Sequence, residues 1–404
     1  MSKNRIPAVR FCDFSDNWES KKIGDLGSVS MNKRIFKDET SETGEVPFYK
    51  IGTFGSEPDS FITREKFEEY KSKYPYPEIG DILISASGSI GRTVEYQGEE
   101  AYFQDSNIVW LKHDERLNNS FLKQFYSIVK WEGIEGTTIK RLYNKNILET
   151  PISLPSPAEQ SAIGSLFRNL DDLLVSYKNN LANYQSLKAT MLSKMFPKAG
   201  QTVPEIRLDG FDGEWEVQTL KELASFSKGN GYTKNDLVNS GKEIILYGRL
   251  YTNYQTVISK VNTFVTTVKA NTVISKGGEV IVPASGETAE DISRASVVEK
   301  SGIILGGDLN IIYPDENKVD SIFLALTISN GSQQKELIKR AQGKSVVHLR
   351  NNDLEKVVLH YPSMEEQCAI SAYFSNLDSL INSHQEKISQ LETLKKKLLQ
   401  DMFI

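Results

Sequence analysis

Residues 155–163 read Pro155-Ser-Pro-Ala-Glu159-Gln160-Ser-Ala-Ile163, and residues 362–370 read Pro362-Ser-Met-Glu-Glu366-Gln367-Cys-Ala-Ile370. The same nine-residue pattern stands twice in one chain, and each copy opens a long stretch without proline. Working outward, Phe167-Arg-Asn-Leu170-Asp171 recurs as Phe374-Ser-Asn-Leu377-Asp378, and Met195-Phe196 as Met402-Phe403, all at one constant offset. Upstream, Pro7-Ala-Val-Arg10-Phe11 followed by Trp18-Glu19 is echoed by Pro204-Glu-Ile-Arg207-Leu208 followed by Trp215-Glu216. Gly80-Asp-Ile-Leu-Ile-Ser-Ala-Ser87-Gly88 matches Gly278-Glu-Val-Ile-Val-Pro-Ala-Ser285-Gly286, and Asp105-Ser-Asn107 matches Asp308-Leu-Asn310. Gly136 and Leu142 correspond to Gly343 and Leu349. An ordered set of this kind is an internal duplication, and the layout is head, helix, head, helix.

The stretches 157–196 and 364–403 are expected to be helices. Ser156 and Ser363 are placed as N-caps, with Glu159 and Glu366 three residues on in a capping-box pattern. Apolar residues return every seven positions: Leu170, Tyr177, Tyr184 and Met191 on one row, Phe167, Leu174 and Leu181 on the next. The second copy repeats this with Leu377, Leu391, Leu398 and Phe374, Ile381, Ile388. That period predicts a coiled-coil seam, with Phe167, Leu170, Leu174, Leu181, Phe374, Leu377, Ile381 and Ile388 as the pairing residues. Forty helical residues make a rod of about 60 Å. Each stripe could instead pack on its own head; the favoured expectation is that the two helices pair antiparallel about a pseudo-two-fold axis. Lys188 and His384 interrupt the seam, and Asp171 and Asp378 are assigned solvated or capping roles.

The heads read as mixed α+β. Short β-rich runs (Asp81-Ile-Leu-Ile-Ser, Asn107-Ile-Val-Trp-Leu, Glu243-Ile-Ile-Leu-Tyr) alternate with turn residues, and one helix is expected in each, near 120–131 and 319–329. Residues 31–74 have no recognisable sequence counterpart in 228–276. A shared framework with unlike loops is what two modules reading two targets would show. The expected boundaries are 1–154 and 203–361 for the heads, with 155–202 and 362–404 as helical spacers.

Composition narrows the chemistry. Only Cys12 and Cys368 occur, far apart, which predicts neither a disulfide framework nor a zinc site and fits a reducing compartment. No apolar run is long enough for a membrane span, and the N-terminus lacks the apolar stretch of a secretory signal, so a cytoplasmic location is expected. The stretch from Ala86 to Thr93 approaches a Walker loop, but Ala86 replaces its first glycine and Arg92 its lysine. Neither an Asn-Pro-Pro-Tyr nor an Asp-Pro-Pro-Tyr methyltransferase tetrad occurs, so no catalytic or metal-binding residues are assigned. The net charge of −5 weighs against nucleic-acid binding unless basic side chains are segregated on one face or partners supply them.

The Pro-x-x-Arg…Trp-Glu lead-in, the Gly-Asp-Ile-Leu strand ending in Ser-Gly, and Pro-x-x-x-Glu-Gln opening a long helix, each present twice, resemble the specificity subunits of type I restriction–modification systems. The resemblance spans essentially the whole chain. Departures are small: Glu279 and Pro283 in the second strand motif, and Leu208 where Phe11 stands. It implies two target recognition domains on double-stranded DNA, separated by two helices that set the gap and dock two methyltransferase subunits, with nuclease–translocase subunits completing the complex. S-adenosylmethionine, ATP and magnesium would sit on those partners and no cofactor on this chain, which would be a non-catalytic subunit.

Candidate DNA contacts are basic and polar residues near expected strand ends and loops. In the first head they are Lys33, Arg34, Lys37, Ser87, Arg92, Lys140, Arg141 and Tyr143. In the second they are Lys228, Tyr232, Lys234, Arg249, Ser285, Arg294, Lys344 and Arg350. Arginine grips guanine edges in a bidentate manner, whereas lysine mostly holds phosphate. Two other readings remain open at this point: a scaffold with two protein-binding heads, and a stand-alone DNA-modifying enzyme.

Overall fold

The computed structural model describes residues 6–137, 140–343 and 346–404. Two 38-residue helices run over Pro157–Lys194, here the central helix, and Met364–Asp401, the C-terminal helix. The chain divides into two compact units, one of Met1–Lys178 with Glu386–Ile404 and one of Asn179–Gln385. Each unit therefore holds one head, the beginning of one long helix and the end of the other.

In the first unit, strands Gly27–Ser30, Ile108–His113, Ile82–Ser85 and Thr93–Glu95 lie in that order in an antiparallel sheet. Its two inner strands, Ile-Leu-Ile-Ser and Ile-Val-Trp-Leu, are buried at consecutive positions, because the sheet is covered on both faces and not merely on one. A smaller sheet has Val46–Tyr49 at its centre, antiparallel to Phe61–Ile62 and parallel to Tyr102–Phe103. The helix expected near residue 120 is Asn119–Ile128, and a second helix, Arg64–Lys73, was not foreseen.

The second unit repeats this frame. Strands Ala224–Lys228, Leu309–Pro314, Glu279–Pro283 and Ser296–Val298 take the same order, and a short parallel strand, Val257–Ile258, extends the sheet. A second sheet again has a central strand, Lys242–Ile245, antiparallel to Phe264–Val265 and parallel to Ile304–Leu305. The segments that share no recognisable sequence thus share strands. Only backbone placement and apolar character are held in common, which a residue-by-residue comparison does not detect. What differs is what surrounds those strands: Arg64–Lys73 is helical in the first head, whereas the second adds strands Leu237–Val238 and Val273–Ile274. The observed class is therefore the expected α+β, with two homologous mixed heads and two long helices.

The duplicated motifs meet where head joins helix. Ser156 and Ser363 cap their helices, accepting the amides of Glu159 (3.3 Å) and Glu366 (3.4 Å). The expected capping box is only half formed, because the two glutamates turn away to bind the lead-in arginines. Arg10 donates Nε and Nη2 to the two oxygens of Glu159 at 2.6 and 2.7 Å, and Arg207 does the same to Glu366 at 2.8 and 2.6 Å. Both carboxylates are 1% exposed, and a carboxylate so far from water is stable only when paired and hydrogen-bonded. Glu159 in turn holds the Arg10 guanidinium above its ordinary pKa. Trp18 adds a third bond to Glu159, Nε1 to Oε2 at 3.2 Å.

The adjacent glutamine closes the joint. Gln160 Nε2 donates to Arg116 O and Pro155 O, both at 2.9 Å, and its Oε1 accepts from Asn118 N at 2.8 Å. Gln367 makes the same three bonds with Lys318 O, Pro362 O and Asp320 N. Asn118 and Asp320 are themselves the N-caps of the head helices Asn119–Ile128 and Ser321–Ile328, so one carboxamide splices two helix starts together. Gly164 permits the close approach in the first unit, since a Cβ there would lie 2.5 Å from Ser120 Cβ. Its counterpart Ser371 instead bonds to Asp320 Oδ1.

Beyond these first turns the helices pair antiparallel within each unit, so a helix packs both on its own head and on the other helix. Phe167, Leu170, Leu174, Phe374, Leu377 and Ile388 are buried, and Leu181 and Ile381 half-buried. In the first unit Asp171 binds Lys395 and Lys178 binds Glu392 (2.7 Å); in the second Asp378 binds Lys188. The aspartates given solvated roles are thus the partners of seam lysines at equivalent places in the two copies, and His384 packs edge-on to Tyr184 at 5.1 Å. Each helix ends as a plug. Phe403 stacks on Phe121 (5.2 Å) and meets Trp18 and Phe167, while Phe196 meets Phe323, Trp215 and Phe374. The chain after Phe196 is held by Glu205, whose carboxyl Lys194 and Lys198 pull down to about 2.

Breaking the joint should cost more than breaking the seam. Glu366→Gln, which leaves Arg207 without its counter-charge, is expected to destabilise by about 3–5 kcal/mol, and Lys188→Ala by less than about 1 kcal/mol, both measured by urea unfolding. Phe196→Ala is expected to cost about 3–5 kcal/mol, with a smaller loss for the half-exposed Phe403; equal, negligible effects would contradict the plug.

Candidate nucleic-acid interface

The antiparallel register puts several sequence-nominated residues at one end of the main sheet. In the first head Ser30 pairs with Trp110, Ser85 with Ile108 and Ile84 with Thr93. The residues just past those pairs therefore gather at one sheet end: Lys33 and Arg34, the turn from Ala86 to Arg92, and Asp105 to Asn107. Hydrogen bonds fasten them to one another. Arg34 Nε donates to Asp105 Oδ2 at 2.9 Å, and Ser87 Oγ donates to Asn107 Oδ1 at 2.7 Å. Gly88 N reaches Lys140 O at 3.1 Å, Ser87 forms a β-bridge with Arg141, and Leu142 N reaches Ala86 O at 2.8 Å. Arg141 N also donates to Glu135 O at 2.7 Å. Lys140 and Arg141 are consequently presented beside the Ser87 turn with exposed side chains.

The second head builds the same place with other side chains. Lys228 pairs with Asn310 and Pro283 with Leu309, so Lys228, Ser285, Arg294 and the turn at Asp308 share one sheet end. Ser285–Gly286 pairs with Val347–His348, and Leu349 N donates to Ala284 O at 3.0 Å, which delivers the exposed Arg350 to the same region. Asn310, the counterpart of Asn107, donates Nδ2 to Leu349 O at 2.9 Å. The matched pair Gly136 and Gly343 both have positive φ, at 110° and 141°; a Cβ on Gly343 would lie 1.9 Å from Val346 O, so no other residue fits.

Not every nominated residue has a free head group. Ser87 and Ser285 are buried, and Ser87 is committed to Asn107. Tyr232 is 5% exposed, its hydroxyl accepting from Lys269 N at 2.7 Å and meeting Thr272 Oγ1 at 2.9 Å. The Arg249 guanidinium donates to Asn262 Oδ1, Gln255 Oε1 and Lys260 O, and burial lowers its pKa. Arg92 donates Nη1 to Phe54 O, and Arg294 lies over the Tyr254 ring, 5.5 Å from its centroid. Lys37, Lys234 and Tyr143 are exposed, the last as the residue before helix Asn144–Glu149. Lys33 sits over the Tyr74 ring, and Lys344 lies outside the described residues. Asp105, Asn107 and Asn310, which are not among the candidates, tie the turns together. Their signal was present in the sequence as the repeated Asp-x-Asn.

A family model described as the type I restriction modification DNA specificity domain matches residues 15–184 and again 212–393. A putative type I restriction enzyme specificity subunit of Haemophilus influenzae is 53% identical over 161 residues, which span 40% of this chain and 42% of that relative. The MjaVIII specificity subunit of Methanocaldococcus jannaschii is 22% identical over 403 residues, 95% of this chain and 91% of the relative. The crystal structure of a type I restriction–modification S subunit from M. genitalium superposes with a TM-score of 0.63 at 15% identity, covering 99% of each chain, and so shares the fold. With its duplicated heads, its duplicated head–helix joint and the family model matched once per repeat, the chain belongs to the type I restriction–modification DNA specificity family.

Proposed function

We propose that each head reads one half of a bipartite DNA target, and that the paired helices set the gap between the halves and dock methyltransferase subunits. The observation that carries this is the contrast between frame and tip. The two heads share sheet order and joint, yet at the same sheet end one offers the exposed Lys140 and Arg141 and the other the exposed Lys228 and Arg350. Equivalent scaffolds with unlike basic tips suit two unlike half-sites. Helices of 38 residues, about 57 Å at the usual rise per residue, are long enough to space half-sites about one DNA turn apart, roughly 34–36 Å.

In this reading the chain supplies position and discrimination. Base flipping and methyl transfer belong to the methyltransferase partners, and cleavage to nuclease–translocase partners. S-adenosylmethionine, ATP and magnesium are then bound by those partners and not by this chain. The working compartment is the cytoplasm, where host DNA lies; no helix among the described residues is long and apolar enough to cross a membrane.

Methylome sequencing of cells with and without the chain should reveal one adenine-methylated motif, split by a fixed gap, that disappears with the gene. An undivided motif, or no change, would contradict the proposal. Within the complex, Arg141→Ala should alter the preferred base or cost about 1–3 kcal/mol. Lys140→Ala should weaken binding to all sequences alike and reduce the salt slope by about 1. Unchanged binding and methylation in Arg141→Ala would remove it from the interface.

A further inference from the structure

The loop that leaves strand Gly27–Ser30 in the first head reads Lys33-Arg34-Ile35-Phe36-Lys37, and Phe36 is 60% exposed between basic neighbours. Exposure alone means little for one apolar side chain. The anchoring of this one is what sets it apart. Asn32 is buried, donating Nδ2 to Pro75 O at 3.1 Å and accepting from Phe103 N at 3.3 Å. The Tyr102 hydroxyl donates to Lys33 O at 3.0 Å, and Ile35 sits in the apolar cluster of Val46, Phe48, Ile62, Phe67 and Tyr102. On the far side Phe36 N donates to Glu39 Oε2 at 2.8 Å, and Lys66 holds that same carboxylate, whose pKa is lowered by the pair. The ring is therefore held out of a loop whose backbone is fixed on both sides.

The loop is also tied to the proposed interface, through Arg34 to Asp105 beside the Ser87 turn. The second head has the same local design, with Tyr232 buried where Ile35 is and Thr233 N donating to Asp236 Oδ2 at 2.7 Å just as Phe36 N does to Glu39. The residue at that place is Thr233, whose hydroxyl donates to Asp236 Oδ2 at 3.2 Å, so at this position the first head presents an aromatic and the second does not.

We infer that Phe36 is a specificity-determining wedge that stacks against or between bases of the half-site read by the first head, with Lys33 and Lys37 on the flanking phosphates. Apolar side chains carried by basic loops unstack base steps in this way, and such a contact reads deformability as well as base identity. The inference rests on the DNA-reading function proposed above. A preorganised ring loses little conformational freedom on binding, which is why rigid anchoring favours a wedge over a mobile surface residue.

The test uses the complex reconstituted with its methyltransferase and a duplex carrying the methylome-defined site, with 2-aminopurine placed in turn at each position of the half-site read by the first head. The wild-type complex should bind the site in preference to scrambled DNA and raise the fluorescence at one step other than the adenine that the methyltransferase flips. Phe36→Ala should bind about tenfold more weakly and lose that fluorescence change with an unaltered melting temperature, while Phe36→Trp retains both. Equal affinity and equal fluorescence in Phe36→Ala would overturn the wedge. So would failure of Phe36→Ala to assemble with the methyltransferase in the absence of DNA, which would assign the ring to a protein contact. A wild-type complex that does not prefer the site would instead overturn the underlying DNA-reading function, and is recognised before any variant is compared.

Discussion

The structure of each unit depends on one buried ion pair, Arg10 with Glu159 in the first and Arg207 with Glu366 in the second. A carboxylate in the first turn of a long helix and a guanidinium from the chain leading into the head are both withdrawn from water, so each needs the other in one geometry. Two parallel N–H to O bonds define an orientation as well as a distance, which a surface lysine pair would not. The neighbouring glutamine then bonds three backbone groups, and the head helix starts where the long helix starts. Head and rod are thereby joined by polar groups whose geometry leaves little room for rotation.

This joint separates what is held from what is free to change. The main sheet, the Arg–Glu pair, the glutamine splice and the aromatic plug recur in both units, while at the far end of the sheet the exposed basic side chains differ around shared Ser-Gly and Asp-x-Asn turns. The matched strand motif shows how the frame tolerates change: Asp81 accepts Glu78 N through Oδ2 at 2.8 Å, and Glu279 accepts Gly277 N through Oε2 at 2.9 Å. One methylene of difference leaves the turn before the strand satisfied. The seam behaves similarly, with Lys188 and Lys395 answered by Asp378 and Asp171 at equivalent places. Partly exposed pairs of this kind fix register more than they add stability.

Much of the frame was legible because it is written twice. Duplication, the long helices, their apolar rows and the α+β heads follow from spacing and periodicity alone. The partners of Glu159 and Gln160 were not legible, because a capping box and a cross-domain ion pair use the same residue at the same position, and only the tertiary fold decides between them. The small sheet was hidden for a different reason. Val46–Tyr49 and Lys242–Ile245 share a place in the fold and almost no residue identities. At the candidate interface, choosing basic and polar residues near strand ends and loops picks out Arg141 and Arg350 but also Tyr232 and Arg249, whose polar groups are committed inside the head. Charge can be counted from sequence, whereas exposure and hydrogen-bond commitment cannot. Phe36, an apolar loop residue, falls outside any selection made on basic and polar character.

A constant frame that carries two independently varying reading tips should allow either head to be exchanged alone. Exchanging residues 19–154 for the corresponding head of another family member, with Arg10, Trp18, Glu159 and Gln160 kept, and sequencing the methylome of the host tests this most directly. One half of the methylated motif should change while the other half and the gap stay as they were. Simultaneous change of both halves, or loss of the gap in an assembled complex, would contradict it.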